Sequence, residues 1–325
     1  MDGTIDRLTA VGQEVFFSAG FIPVERAIAR LDWRQTTTDN QLARIPFPQQ
    51  QVAWSHVTLM PEPIYTPDNC KPAYKLNWSL SVFWNAAPPS HESWYSELAA
   101  ATEADGVRLL EHRLVKGNVS QFLISTRSDA APSDMARSVK GRLQHLVRQT
   151  LPKAFRRNYG LRSVGDAGTD VVEGYIQRQT AHHPLADPRV QRQFDALRID
   201  GGADLTTPRV GGHAQFLYNL HLVLVHRDRG KETRPALLKR RRGRVLAIAA
   251  KKGHLLGSGQ LLADHLHLAL GCALTESPQA VALGYMNNLA YGEGMKPLYE
   301  FSYYVGTFGE YDLDAVRRGL RHNSA

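Results

Sequence analysis

Two short patterns contain the side chains best suited to chemistry. His265 and His267 lie in an apolar stretch whose alternation is typical of a β-strand, so both imidazoles are expected on one face. Two neutral imidazoles on one face can hold a divalent metal ion. Tyr175 and Gln179 are four residues apart in a segment predicted to be helical, so they are expected one turn apart.

The elements around the tyrosine segment predict one α+β unit. The periodicity and the turn residues indicate, in order, a strand at 74–84, a helix at 93–104, strands at 107–116 and 119–126, a helix at 133–150, a strand at 161–164 and a helix to 179. This order is compatible with a ferredoxin-like domain.

The same order of elements returns around the histidine segment. The pattern indicates a strand at 216–225, a basic helix at 235–252, a hairpin at 255–270, a helix at 278–291, a strand at 303–308 and a helix at 313–320. Residues 144 positions apart also match, as Tyr159 does with Tyr303 and Gly165 with Gly309. We therefore interpret the chain as a tandem duplication, with units at 71–180 and 212–325, a leader at 1–70 and a linker at 181–211.

Several motifs resemble those of the single-tyrosine HUH transposases, the insertion-sequence and REP-associated tyrosine transposases. The matching segments are Ser138-Val-Lys140-Gly-Arg142, Tyr159 to Ser163-Val164-Gly165, Tyr175-Ile-Gln-Arg-Gln179 and Asp264-His265-Leu266-His267. The first three resemble the segments that lead into and carry that family's tyrosine helix, and the last resembles its histidine strand. The resemblance implies two ferredoxin-like (RRM-like) HUH domains that form an intramolecular pseudo-dimer.

Each half departs from the family pattern in a complementary way. The strand expected to carry histidines in the first half, 118–124, contains none. The positions equivalent to Tyr175 and Gln179 in the second half are Gly319 and Asn323. Because members of this family can build a site from the tyrosine helix of one subunit and the histidine strand of the other, the resemblance predicts one composite site shared by the two halves.

What the resemblance implies is a metal-dependent nicking and rejoining of single-stranded DNA. Tyr175 is expected to be the nucleophile and to form a 5′-phosphotyrosine, which conserves the phosphodiester energy for rejoining. His265, His267 and Gln179 are expected to bind Mg²⁺ or Mn²⁺. The protein is then a transposase or a domesticated relative, and a fused pair of halves needs no second chain, so we expect a monomer.

The charge distribution favours a polyanionic partner. The formal net charge is +8 and the isoelectric point is near 9.5. Basic residues that follow one another closely suit a phosphate backbone, and they suit a solvated helix face as well. The residues expected to contact single-stranded or hairpin DNA are Lys140, Arg142, Lys239, Arg240, Arg241, Arg242 and Arg244.

The sequence predicts a cytoplasmic protein, and the DNA partner that the resemblance implies places it at the nucleoid. The apolar runs are too short to cross a bilayer, and the first residues do not have the layout of a signal peptide. The two cysteines, Cys70 and Cys272, are far apart, which argues against a zinc ribbon or a disulfide scaffold. The sequence is also compatible with two other functions: a catalytically inactive DNA-binding protein derived from a transposase, and an enzyme that acts on RNA.

Overall fold

The computed structural model describes residues 62–182, the last without its side chain, and residues 187–310. These residues form a mixed α+β fold on two six-stranded sheets. The strands are β1 (Lys71–Lys75), β2 (Asn77–Trp84), β3 (Val107–Val115), β4 (Val119–Thr126), β5 (Phe155–Val164), β6 (Ile199–Asp200), β7 (Arg209–Gly211), β8 (Ala214–Leu217), β9 (Asn219–Val225), β10 (Leu255–Leu261), β11 (His265–Gly271) and β12 (Ser302–Thr307). The α-helices are α1 (Tyr95–Glu103), α2 (Pro132–Val147), α3 (Thr169–Gln177), α4 (Gln179–His182), α5 (Pro188–Asp195), α6 (Pro235–Lys252) and α7 (Pro278–Tyr291).

Each sheet takes a strand from the chain segment that leads into the other sheet. The first sheet has the order β3-β4-β2-β5-β8-β7, and the second has the order β1-β12-β9-β11-β10-β6. Strand β1 pairs in parallel with β12, and β8 pairs in parallel with β5. The sequence predicted one strand at 74–84. The structure instead passes from the second sheet to the first at Leu76, because β1 and β2 pair with different partners.

The junction between the sheets repeats one hydrogen-bonding pattern twice. At its centre are the hydroxyls of Ser163 and Thr307, which are 144 residues apart. Each hydroxyl accepts from a backbone N–H at the start of a strand and donates to a backbone carbonyl of the other half. The four bonds are Asn77 N to Thr307 Oγ1 (2.8 Å), Thr307 Oγ1 to Val164 O (2.7 Å), Asn219 N to Ser163 Oγ (3.0 Å) and Ser163 Oγ to Phe308 O (2.9 Å).

Gly165 allows the close backbone approach at this junction. A Cβ atom there would lie 2.8 Å from Cα of Phe308 and would overlap the carbonyl oxygen of Thr307. Because both obstacles are backbone, we expect Gly165→Ala to lower the free energy of unfolding by about 2 kcal/mol. Gly243→Ala is the matched control, since Gly243 lies in α6 and faces open space. That change should stabilise the protein by ~0.5–1 kcal/mol. Equal effects of the two changes in urea unfolding would contradict the junction packing.

Helices α6 and α7 cover one face of the second sheet. Leu266 and Leu268 of β11 are buried in the same core as Leu238 and Val245 of α6. Alternation along β11 therefore turns His265 and His267 to the opposite face. Helix α3 packs on that opposite face, against β10 and β11.

The α+β class predicted from the sequence is confirmed. The linker predicted at 181–211 contains α5 and two short strands: β6 is an edge strand of the second sheet, and β7 is an edge strand of the first. Among the described residues, no helix is long and apolar enough to cross a membrane. Most of the leader and the helix predicted at 313–320, with Gly319 and Asn323 nearby, lie outside the described residues.

Candidate active site

Helix α3 carries Tyr175 onto the histidine face of the second sheet. The helix begins after Gly168, and Asp170 in its first turn suits the positive end of the helix dipole. Ile176 is fully buried, in a cluster with Ala269 of β11 and Phe308. The neighbouring Tyr175 side chain keeps 42% of its surface exposed. The buried isoleucine thus anchors the helix while the tyrosine ring stays open to solvent.

The Tyr175 ring lies beside two histidines. Its centroid is 5.8 Å from the ring of His267 and 6.1 Å from the ring of His221, and both contacts are edge-on. The ring of His265 is 4.9 Å from that of His267. The tyrosine and the histidine pair, which are 90 residues or more apart in sequence, therefore share one site.

Asp264 binds the first histidine of the pair. Its Oδ1 atom is 2.7 Å from Nδ1 of His265. The hydrogen bond from His265 lowers the pKa of the Asp264 carboxyl to about 2, so the group is a carboxylate at neutral pH. A carboxylate can only accept hydrogen bonds, which places the hydrogen of this contact on Nδ1 of His265.

His221 binds the second histidine. It lies on β9, the antiparallel neighbour of β11, where it is directly opposite Ala269 and diagonal to His267. Nε2 of His221 is 3.0 Å from Nδ1 of His267, and the two rings stack at 5.2 Å. Burial lowers the pKa of His221 to about 4, so this imidazole is neutral at pH 7. No role for His221 emerged from the sequence, because its partner is 46 residues away and only the strand pairing brings them together.

Gln179 lies just outside the helix that carries Tyr175. Helix α3 ends at Gln177, and Gln179 begins the short helix α4. Its side chain is fully buried, and its Nε2 atom donates to the carbonyl of Tyr175 over 3.5 Å. Its Oε1 atom is buried and finds no hydrogen-bond donor among the described residues.

A second buried glutamine faces the same side of the sheet. Gln260 of β10 is directly opposite His267 in the strand register, so the two side chains share a face. Its Nε2 atom donates to the carbonyl of Phe194 over 2.8 Å, while its buried Oε1 atom also finds no donor in the described part of the chain. Two buried amide oxygens without donors are unusual, because buried polar atoms are normally satisfied.

Within residues 62–182 and 187–310, no group of three or more His, Cys, Asp or Glu side chains is arranged to hold a metal ion. The predicted ligand set of His265, His267 and Gln179 contains only two residues of these types. Its third ligand is the amide oxygen of Gln179, and glutamine is not one of those four residue types.

The predicted basic residues of α2 are engaged in local contacts. The Lys140 ammonium donates to the backbone carbonyls of Arg156 and Arg157, the latter over 2.8 Å. Arg142 forms an ion pair with Asp105 at 2.7 Å. Both contacts are made within the first half of the chain, to β5 of the first sheet and to the turn before β3.

The prediction that Arg241 contacts DNA requires correction. The Arg241 side chain is 6% exposed and forms a bidentate ion pair with Glu293, with two contacts of 3.0 Å. Its Nη1 atom also donates to Nε2 of His226 over 3.1 Å. Every third or fourth residue of α6 faces the core, as Leu238 and Val245 do, and Arg241 lies on the same buried face.

The rest of the α6 run is on the outer side of the helix layer, away from Tyr175. Lys239 and Arg240 are exposed. Arg242 donates to the carbonyl of Arg198 over 3.1 Å, and Arg244 lies 3.9 Å from Glu293. The structure therefore separates this run from the tyrosine by the thickness of the second sheet.

A different basic segment lies next to the histidines. The turn Arg227–Arg229 follows β9 and is held against β11 by a hydrogen bond from His226 N to Asp264 O of 2.7 Å. Asp228 and Arg229 both have left-handed backbone conformations, with φ of 55° and 49°. Such consecutive non-glycine residues are uncommon and concentrate at functional sites. No sequence pattern predicted a role for this turn, in which two arginines flank a single aspartate.

No family model matches the chain, and no curated protein matches it. A crystal structure of an unknown protein from Galdieria sulphuraria is 8% identical and covers 72% of this chain and 97% of its own, with a TM-score of 0.20. A likeness at that TM-score supports no conclusion about fold or function.

Proposed function

We propose that this protein nicks and rejoins single-stranded DNA through a 5′-phosphotyrosine at Tyr175. The observation that carries the proposal is the distance of 5.8 Å between the rings of Tyr175 and His267, which come from different halves of the chain. The half that keeps the tyrosine lacks the histidines, and the other half keeps them. The tyrosine helix of one half and the histidine strand of the other come together in one place, as expected of a functional site.

The architecture we propose is an intramolecular pseudo-dimer of two ferredoxin-like HUH halves. Two features support it: the exchange of β1 and β8 between the sheets, and the duplicated hydroxyl contacts of Ser163 and Thr307. Both relate the halves as two subunits of a dimer would be related. The site needs no residue from a second chain, so we propose that the active form is a monomer that works on DNA in the cytoplasm, at the nucleoid.

The residues fit a divalent metal ion. His265 and His267 supply two imidazoles on one face, and each has its Nδ1 atom engaged with a neighbour, Asp264 or His221. The buried Oε1 of Gln179 has no donor within the described part of the chain, as expected of an atom that binds a cation, and Gln260 offers the same kind of atom. Mg²⁺ or Mn²⁺ bound here would polarise the scissile phosphate and stabilise charge on the leaving 3′ oxygen.

The proposed reaction conserves the phosphodiester bond energy. The phenolic oxygen of Tyr175 attacks phosphorus, an O–P bond to tyrosine forms and the bond from phosphorus to O3′ breaks. The phenolic proton passes to water at the exposed side of the ring, and the leaving 3′ oxygen takes up a proton. In the joining step the 3′-OH of a strand attacks the phosphotyrosine, and the tyrosine oxygen leaves.

The charges suggest two contact regions for the DNA. Arg227 and Arg229 are exposed beside Asp264 and suit phosphates next to the scissile bond. Lys239 and Arg240 are exposed on the far side of the second sheet, where they suit a hairpin or a flanking strand. Both groups act on the phosphate backbone, which carries affinity without base recognition.

Covalent capture tests the proposal. The full chain is incubated with a pool of end-labelled single-stranded hairpin DNAs and Mn²⁺, and adducts are scored on a denaturing gel. We expect a metal-dependent adduct whose DNA maps to Tyr175 by peptide mass spectrometry, together with a free 3′-OH on the released strand. Salt-sensitive binding of the pool without any adduct, across a pool that contains every short loop sequence, would favour a DNA-binding protein without catalysis. Cleavage that requires a 2′-OH would indicate an RNA substrate.

A further inference from the structure

We propose that Asp264 and His221 are positioning residues that fix His265 and His267 in the tautomer able to bind a metal ion through Nε2. The inference rests on the proposed metal site. It extends that site by assigning a role to two residues outside the ligand set.

Asp264 determines the tautomer of His265. In a neutral imidazole one nitrogen carries the hydrogen and the other carries the lone pair. The 2.7 Å contact with the Asp264 carboxylate requires the hydrogen on Nδ1, which leaves the lone pair on Nε2. Metal-binding histidines commonly donate their second N–H to a carboxylate in this way, which also orients the ring.

His221 does the same for His267 from the neighbouring strand. The 3.0 Å contact between His221 Nε2 and His267 Nδ1 holds one hydrogen, which resides on one of the two atoms. Only the arrangement in which His267 donates leaves the lone pair of His267 on Nε2. A neutral His221 ring can accept that hydrogen bond, and its stacking on His267 at 20° between planes restrains both rings.

The two positioning contacts act from different directions. Asp264 lies in the turn immediately before β11, whereas His221 contacts His267 from the neighbouring strand β9. Tyr304 of β12 also touches the His221 ring, with centroids 5.8 Å apart, and thereby limits its rotation. Removal of either contact would leave its histidine free to take the other tautomer, in which Nε2 carries the hydrogen.

Metal binding without DNA tests the inference. The affinity of the full chain for Mn²⁺ is measured by electron paramagnetic resonance of free Mn²⁺, for the wild type and for His221→Leu, His221→Gln and Asp264→Ala. We expect His221→Leu and Asp264→Ala to weaken Mn²⁺ binding by about 10–100-fold. His221→Gln should stay within a few-fold of the wild type, because its amide oxygen can accept the same hydrogen bond. His145→Leu, at an exposed position on α2, is the matched control and should change nothing.

The possible results distinguish misfolding of a variant and failure of the proposed DNA reaction from failure of the positioning roles. Thermal unfolding in EDTA identifies any variant that fails to fold, and Asp264→Leu, which is similar in shape and also lacks an acceptor oxygen, replaces Asp264→Ala in that case. Unchanged Mn²⁺ affinity of folded His221→Leu, or a His221→Gln loss as large as that of His221→Leu, would overturn the role of His221. A wild type without measurable Mn²⁺ binding would overturn the metal site itself. The expected Mn²⁺ losses without any DNA adduct would support this inference and count against the proposed function.

Discussion

Exchange of Tyr175 for phenylalanine is expected to abolish covalent capture of DNA, with a loss of adduct formation of at least ~10³-fold. Phenylalanine keeps the ring that contacts His221 and His267 and removes only the attacking oxygen. The fold, the Mn²⁺ affinity and the DNA affinity should therefore stay close to those of the wild type. The measurement is the initial rate of adduct formation on a denaturing gel, at saturating DNA and metal.

Tyr291→Phe is the control for the loss of a tyrosine hydroxyl. Tyr291 is 63% exposed at the end of α7, in the helix layer on the other side of the sheet, and its variant should form adduct at the wild-type rate. An adduct that persists in Tyr175→Phe would exclude Tyr175 as the nucleophile. An equal mixture of Tyr175→Phe and His267→Ala should stay inactive, because in the proposed monomer each chain supplies its whole site. Recovery of activity in the mixture would indicate sites shared between chains.

Replacement of Arg241 by methionine is expected to lower the free energy of unfolding by about 3–5 kcal/mol. Methionine fills much of the same volume but leaves the Glu293 carboxylate, with 13% of its side chain exposed, without its bidentate partner. Arg244 at 3.9 Å is too distant and too poorly aligned to replace two contacts of 3.0 Å. His226 also loses the donor to its Nε2 atom. Urea unfolding followed by circular dichroism gives the difference.

Arg240→Met provides the contrast one residue away. Arg240 is exposed on α6, so its loss should leave stability within about 0.5 kcal/mol of the wild type. It should instead weaken single-stranded DNA binding and reduce the salt dependence of the affinity by about one phosphate contact. The opposite result for Arg241→Met would be an unchanged free energy of unfolding and a DNA affinity as weak as that of Arg240→Met. That result would show that Arg241 contacts DNA and that its ion pair with Glu293 does not stabilise the fold.

The sequence predicts the structure well where the periodic spacing of residues within one element determines it. Alternation along 265–271 predicts the strand and the shared face of His265 and His267, and the structure has both. The four-residue spacing of Tyr175 and Gln179 was less reliable, because α3 ends between them and Gln179 starts a separate helical turn. Periodicity does not reveal where a helix stops when no proline or glycine marks the end.

Contacts between distant segments explain what the sequence did not reveal. His221 gains its neighbour only through the pairing of β9 with β11, and no spacing within the chain encodes that pairing. Arg241 was predicted to contact DNA together with its basic neighbours, because a run of charges alone does not indicate which helix face packs on the core. The buried partner, Glu293, is 52 residues further along the chain. A basic run on an amphipathic helix should therefore be divided by helical phase before each residue is assigned to a surface.

The exchange of β1 and β8 between the sheets limits how far the two halves can move apart. Separation of the halves would break the pairing of β1 with β12 and of β8 with β5. It would also break the hydroxyl hydrogen bonds at the junction. Movements of that kind belong to global unfolding rather than to a catalytic cycle. If the proposed reaction is correct, DNA enters and leaves past the exposed side of Tyr175 while the two halves stay together. In that reaction a single tyrosine holds one strand end at a time, so strands would exchange by diffusion of DNA and not by rearrangement of the protein.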